Sequence, residues 1–325
     1  MSNIKGINQF GMLIPWAVYL AIPTLLKNNN LNVFSLWRYF NYFMLTTVSL
    51  SIFEYLLLFS GVINPRPINT DGGPFVAGYF SMLYAIESGE LHHRFYASFM
   101  EPGTLAMFLL PVISYSFLYR KYLSLLVYLI ALYLTDSLGG FISMLILMPL
   151  LVYFKFKKNV VPAVIFVLFV SFFVVTVYTD DLIYRYEERE LSATVREDAT
   201  YGFISNFPSL ILDYPFGLPL KENTDESFSN PAYKGANFTI GNAFYLGGTL
   251  SFLGYIAVLF LSLWYAIFGL FRKHLSLDEQ VVVMSTFCLL PFIVQRTVIW
   301  DSSIFAMLFA PFVVFWIQGR KINFN

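Results

Sequence analysis

The stretch TLSFLGYIAVLFLSLWYAIFGLF, residues 249–271, contains no charged residue and decides the fold class of this chain. A run of about 20 apolar residues crosses a hydrocarbon core of roughly 30 Å as a helix, and the helix satisfies its own backbone hydrogen bonds where there is no water. Comparable runs recur along most of the 325 residues, of which 58% are apolar and 12% are charged. The sequence therefore predicts an all-α polytopic membrane protein.

The pattern predicts about nine transmembrane helices, and eight to eleven are compatible with it. We expect the shortest segments to extend past their apolar limits. A further apolar piece, 75–86, is too short to span and is predicted to be interfacial or re-entrant. The nine predicted spans are 10–26, 36–59, 104–118, 122–134, 139–154, 160–177, 249–271, 281–298 and 304–317.

The basic residues orient these spans. Eleven of the 20 Lys and Arg residues fall on one side of the nine-span arrangement, and only Asp278 and Glu279 of the 20 acidic residues do. The positive-inside rule makes that side cytoplasmic. We therefore predict a multi-pass protein of the cytoplasmic membrane with its C-terminus inside, and with the N-terminus and the segments 61–103 and 179–241 outside.

The segment 179–241 is the largest interruption of the membrane pattern, with 63 residues that include eleven acidic and five basic ones. Helix connections usually need about two to eight residues, so this segment is predicted to be an extracytoplasmic loop that caps a single membrane domain, 1–325. Residues 184–198 have helical character. Four prolines are expected to break the chain that follows into turns: Pro208, Pro215, Pro219 and Pro231.

The sequence HHRFYASFMEPG, residues 92–103, leads directly into the span 104–118. As a plain helix start it needs no further role, because Pro102 suits a first helical turn and the Glu101 carboxylate favours a helix N-terminus. As a site, it offers the Arg94 guanidinium to a phosphate or pyrophosphate, and Glu101 as a general base or an orienting group.

Other candidates lie at the predicted outer ends of the spans. Asp136 opens the turn DSLGG, residues 136–140, which is either a tight turn with a helix N-cap or a source of a second candidate base. Arg296 lies near the outer end of a span, where it either pairs with Asp301 or has a function. Glu54, in the span 36–59, is a comparable intramembrane charge.

The loop adds further motifs. Arg196 lies in its first half, and the turn PFGLP, 215–219, follows. The chain returns to the membrane at Asn242, ahead of a helix punctuated by glycines. Because glycine has no side chain, neighbouring helices could approach that helix closely. These glycines are Gly247, Gly248 and Gly254.

In this order, the motifs resemble the O-antigen polymerase and ligase superfamily of bacterial membrane glycosyltransferases. Three departures are informative. Leu138 stands where many members have an arginine, Pro219 replaces the last glycine of a Pro-x-Gly-x-Gly-like turn, and Gly241 stands where ligases carry a histidine. The last departure favours the polysaccharide polymerase branch.

The resemblance implies a GT-C-like fold and a substrate made of an oligosaccharide repeat unit on undecaprenyl pyrophosphate. The enzyme would join these units into a surface polysaccharide on the outer face of the membrane, with a flippase and chain-length regulator proteins as partners and no nucleic acid. Three residues, Arg94, Arg196 and Arg296, would bind the pyrophosphate, with Glu101 as the first candidate base, Asp136 as the second, and Asn242 at the loop's return.

The sequence indicates no cofactor and no metal. It contains neither an Asp-x-Asp pair nor a spaced His cluster, and its single cysteine, Cys288, cannot form an internal disulfide. The alternatives are an O-antigen ligase-like transferase, a transporter or flippase of lipid-linked sugars, and a structural subunit of an envelope assembly complex. A transporter predicts pore-lining charges on several spans, and the spans here hold almost none.

Overall fold

A computed structural model describes residues 35–63, 66–70, 73–77, 82–84, 95–99, 102–156, 190–217, 239–272 and 274–295, with short helical pieces at 161–162, 164–165 and 168–169. The chain divides into two compact units. We call Phe34–Lys158 with Gly269–Leu289 the core unit. The other is the loop unit, Met1–Val33, Asn159–Phe268 and Leu290–Asn325.

Seven helices make up most of the described chain, and six of them coincide with predicted spans to within a few residues, apart from an N-terminal extension of α6. The seventh, α5, lies in the predicted loop. The predicted spans 10–26 and 304–317, and most of 160–177, lie outside the described residues. The helices are α1 Ser35–Phe59, α2 Pro102–Leu118, α3 Tyr122–Thr135, α4 Leu138–Lys155, α5 Glu190–Asp213, α6 Thr239–Phe271 and α7 Leu277–Gln295.

Three described helices are long and apolar enough to cross a membrane: Trp37–Leu58 in α1, Leu138–Lys155, which is α4, and Gly248–Phe271 in α6. The prediction of a helical membrane protein is confirmed to this extent. The α3 helix has 14 residues and extends the predicted span by one residue only. At about 1.5 Å per residue it is roughly 21 Å long, which is shorter than the hydrocarbon core.

A small antiparallel sheet follows α1, with the strands β1 Arg66–Thr70, β2 Gly73–Ala77 and β3 Met82–Tyr84. Thr70 pairs with Gly73, and Phe75 pairs with Tyr84. The strands β2 and β3 thus occupy half of the piece 75–86, for which apolar length alone had predicted an interfacial or re-entrant segment. The missed signal is Asp71-Gly72 between the paired residues, a dipeptide typical of two-residue hairpins.

The α2 helix is the centre of the core unit, since it contacts α1, α3 and α4 and is buried along most of its length. Small residues let α2 and α4 meet, because a Cβ added to Gly140 would lie 2.8 Å from the Ala106 Cβ. A buried polar group joins three helices. The Ser116 hydroxyl donates to Asn41 Oδ1 at 3.1 Å, and the Tyr128 hydroxyl donates to the Asn41 carbonyl at 2.8 Å. Close approach and interhelical hydrogen bonds are the usual means of helix association in membranes.

The helix ends that the positive-inside rule assigns to one side also meet in the core unit. The Tyr119 hydroxyl, after α2, donates to Asp278 Oδ1 of α7 at 2.5 Å. The Lys121 ammonium, before α3, lies 4.8 Å from the centre of the Tyr42 ring on α1. These contacts place the α2–α3 turn, the first part of α1 and the start of α7 together, as alternating spans require.

The loop unit corrects one prediction about the loop. Pro208 was expected to break the chain after the helical stretch 184–198 into a turn, but α5 continues through it to Asp213. An internal proline costs a helix about 3 kcal/mol or more because it removes a hydrogen bond and clashes with the preceding turn. Here Phe207 and Leu210, on either side of Pro208, both pack against aromatic residues of α6, and this burial holds the helix together.

Candidate functional site

The structure describes three of the six predicted site residues, and only one of these three together with its side chain. Asp136 is described completely. Arg196 lies in α5 and Asn242 in α6, with their side chains outside the description. The remaining three, Arg94, Glu101 and Arg296, lie outside the described residues.

Asp136 terminates α3 in a left-handed conformation, with φ 48° and ψ 39°, and its N–H donates to the Tyr133 carbonyl at 3.2 Å. Ser137 then begins α4, and its hydroxyl accepts a hydrogen bond from the Gly140 N–H at 3.3 Å. The turn thus has an N-cap, Ser137, as the structural one of the two alternatives for this turn requires. Asp tolerates the left-handed region better than most residues, so Asp136 has a structural reason to be here.

The last turn of α3, just before Asp136, meets the segment that follows Arg94. The Phe95 N–H donates to the Leu134 carbonyl at 2.9 Å, and Phe95 is fully buried. Ala97 has φ 47°, a conformation that costs an L-residue roughly 1–2 kcal/mol. Strained backbone of this kind clusters at functional sites, and nothing in the sequence indicates it. Two motifs that are about 40 residues apart in the chain are thus neighbours in the core unit.

The burial of Glu54 makes it a stronger candidate for a functional residue. It lies in α1 with 3% of its surface exposed, one residue before Tyr55, whose ring packs edge-on against Phe95 at 5.4 Å between centroids. An ionisable residue buried in a membrane helix is a functional candidate by default. The part of the site that is described in the core unit therefore comprises the Glu54 turn of α1, residues 95–99 and the Asp136 turn.

In the loop unit, the turn after α5 docks on α6. The Thr249 N–H donates to the Pro215 carbonyl at 2.9 Å, and the Gly217 N–H donates to the Tyr214 carbonyl at 3.0 Å. Gly248 interrupts α6 with φ 68° and ψ −162°, which only glycine adopts readily. The two loop motifs, the proline–glycine turn and the glycine-punctuated helix, are therefore in direct contact.

An aromatic cluster holds α5 against α6. Phe203 and Phe207 of α5 pack on Phe244 and Tyr245 of α6, and Phe244 is fully buried. Asn242 lies two residues before Phe244 in the same helix. The cluster fixes the helix that carries Arg196 to the helix that carries Asn242, so the loop is a packed structure at this point.

Gly254 does not show the predicted close approach within the described residues, since a Cβ added there would have none of their atoms within 4 Å. Close approaches occur instead at Gly140 and at Gly269, where a Cβ would lie 2.5 Å from Val283 Cγ2. Within the described residues, no group of three or more His, Cys, Asp or Glu side chains is arranged to hold a metal ion.

Comparisons of the chain with protein-family models, with curated proteins and with solved structures found no match.

Proposed function

We propose that this chain polymerises oligosaccharide repeat units carried on undecaprenyl pyrophosphate into a surface polysaccharide at the outer face of the bacterial cytoplasmic membrane. The proposal includes a nine-span, GT-C-like arrangement with the large loop outside and the C-terminus inside. The observation that supports it best is the spatial pairing of motifs. Phe95 bonds to Leu134 in the last turn of α3, just before Asp136, in the core unit, and the 215–217 turn meets Gly248 in the loop unit.

The reaction would displace the pyrophosphate of one lipid-linked chain with a hydroxyl of the next repeat unit. The new glycosidic bond forms at the anomeric carbon as the bond to the pyrophosphate oxygen breaks, and the hydroxyl proton passes to a base. Arg94, Arg196 and Arg296 would stabilise the charge of the leaving group, because guanidinium groups donate paired hydrogen bonds to phosphate oxygens.

Glu101 is the first candidate for the base and Asp136 the second. The left-handed position of Asp136 supports this order, since it gives Asp136 a structural role that accounts for the residue without catalysis. Glu54 joins the candidates for positioning the acceptor because it is an ionisable residue buried in α1.

Single alanine substitutions of Arg94, Arg196 and Arg296 test the proposal in cells, with the length of the polysaccharide as the readout. We expect short or absent polymer in each variant, with a single lipid-linked unit accumulating on the outer face. Arg189→Ala is the matched control in the loop, because it removes the same charge at a position outside the predicted motifs. Normal chain length in all three variants contradicts the polymerase, and accumulation on the inner face favours a flippase.

A further inference from the structure

The α5 helix carries a stripe of exposed apolar side chains on the side that faces away from α6. Tyr201, Ile204 and Leu212 are spaced so that they fall on one side of the helix, with Ile204 63% exposed and Leu212 80% exposed. The opposite side, with Phe203 and Leu210, is buried against α6. The helix is therefore apolar on two sides, one of which is covered by protein within the described chain.

The polar residues beside the stripe satisfy their hydrogen-bond donors within the helix. The Ser205 hydroxyl donates to the Tyr201 carbonyl at 2.8 Å, and the Asn206 amide donates to the Gly202 carbonyl at 2.8 Å. The Ser209 hydroxyl donates to the Asn206 carbonyl at 2.9 Å. Such bonds to the preceding turn are the way in which small polar side chains are accommodated in helices away from water. No charged residue lies between Asp198 and Asp213.

The end of the stripe lies beside the start of the apolar window of α6. The apolar window of α6 begins at Gly248, and the next residue, Thr249, is bonded to the Pro215 carbonyl. Phe216, in the same turn, is 78% exposed, and Leu250 is exposed one turn or less into the span. The exposed apolar surface of α5 and its turn thus continues into the surface of a helix that is suited to lipid.

We propose that residues 199–216 bind the lipid surface of the same bilayer that α6 crosses, with Tyr201, Ile204, Leu212 and Phe216 inserted at the boundary between headgroups and acyl chains. Helices of this kind lie about 5–10 Å deep in the interface. Because the segment contains no Lys or Arg, its binding depends on apolar burial and is independent of anionic lipid. The large loop is then a membrane-anchored element, and its turn holds Gly248 at the lipid surface.

The test uses the full chain in phosphatidylcholine vesicles, with a spin label on single cysteines introduced as Ile204→Cys and Leu212→Cys. Cys288 is fully buried and stays in place, and the unsubstituted chain reports any background labelling. Collisions of the label with oxygen, which partitions into lipid, are compared with collisions with a water-soluble nickel chelate. Thr194→Cys, exposed on the charged half of the same helix, is the matched control.

We expect the oxygen-to-nickel collision ratio at positions 204 and 212 to exceed that at 194 by severalfold, with no change when anionic lipid is added. A ratio at 204 and 212 equal to that at 194 overturns the proposal, because the stripe then faces water. Low collision with both reagents also overturns it, because the stripe is then covered by protein, such as a second copy of the chain. The measurement needs no catalytic activity, so its outcome is separate from that of the polymerase proposal.

Discussion

Gly217 and Gly248 approach each other so closely that neither position has room for a side chain. A Cβ on Gly217 would lie 3.0 Å from the Gly248 nitrogen, and a Cβ on Gly248 would lie 2.5 Å from the Phe216 carbonyl carbon. Both glycines have positive φ, 90° and 68°. The loop is therefore joined to the start of the α6 span by backbone packing, in addition to the aromatic cluster.

Gly248→Ala is expected to separate the turn from α6. The added methyl would lie 2.3 Å from the Pro215 carbonyl oxygen, and the backbone conformation alone costs about 1–3 kcal/mol for a residue other than glycine. Thermal unfolding in detergent should show a lower midpoint. If the chain is a polymerase as proposed, the polysaccharide it makes should also be shorter. Gly254→Ala, in the same helix, meets no atom of the described residues within 4 Å and should leave both unchanged. Equal unfolding midpoints for the two variants would show that the packing of the turn against Gly248 does not stabilise the fold.

Substitutions at Asp136 separate its structural role from a catalytic one. Asn and Gly both accept the left-handed conformation, so Asp136→Asn and Asp136→Gly should fold with near-normal stability. Asp136→Ala should lose roughly 1–2 kcal/mol from the same backbone strain. If Glu101 is the base, the Asn and Gly variants keep normal polymer length. Loss of polymer in both, at unchanged stability, would transfer the role of base to Asp136.

The contact between Gly140 and Ala106 predicts that a substitution at one position can compensate for a substitution at the other. Gly140→Ala places two methyl groups 2.8 Å apart, which forces α2 and α4 to separate, and overpacking of this kind costs about 1–3 kcal/mol. Adding Ala106→Gly removes the opposing methyl and should restore much of the lost stability. A double variant as unstable as the sum of the two single variants would show that this contact does not set the distance between the helices.

Asp278 predicts a pH dependence of stability. Burial raises the pKa of its carboxyl above the ordinary 3.8, although the Tyr119 hydrogen bond and Arg38 act in the opposite direction. The folded chain therefore binds a proton before the unfolded chain does, and stability should increase as the pH falls from neutral towards about 4. Asp278→Asn keeps an acceptor for Tyr119 and should flatten this part of the unfolding profile.

Tyr119→Phe tests the hydrogen bond between Tyr119 and Asp278 from the other side, and it should change the pH dependence in the opposite direction. It removes the hydrogen bond that lowers the pKa of Asp278, so the gain in stability towards low pH should become larger than in the unsubstituted chain. An unchanged profile in both variants would show that Asp278 does not titrate in this range.

The described spans follow from local sequence because length and apolarity are properties of a single segment. The predicted span 139–154 and the observed Leu138–Lys155 differ by one residue at each end, and the Ser137 cap explains the start. The earlier start of α7 is also local, since Ser276 and Glu279 exchange the hydrogen bonds of a capping box. The hairpin signal Asp71-Gly72 was equally local, but the apolar length of 75–86 led to a different prediction.

The candidate site was predictable only in part. Motif order identified the 136–140 turn, the 215–219 turn and Gly248 as features, but no local pattern indicates that Phe95 binds Leu134 or that Thr249 binds Pro215. The strain at Ala97 was hidden because alanine does not favour positive φ. The continuation of α5 through Pro208 was hidden because the compensating contacts come from another helix.

The sequence by itself thus determined the class of helical membrane protein and the approximate bounds of its apolar helices, because the bilayer selects each segment by its own length and polarity. The tertiary structure decided which turns meet, which glycines are packed and which side of α5 stays exposed. Those outcomes depend on hydrogen bonds and side-chain contacts between distant segments, whose energies appear only when the chain has brought the segments together.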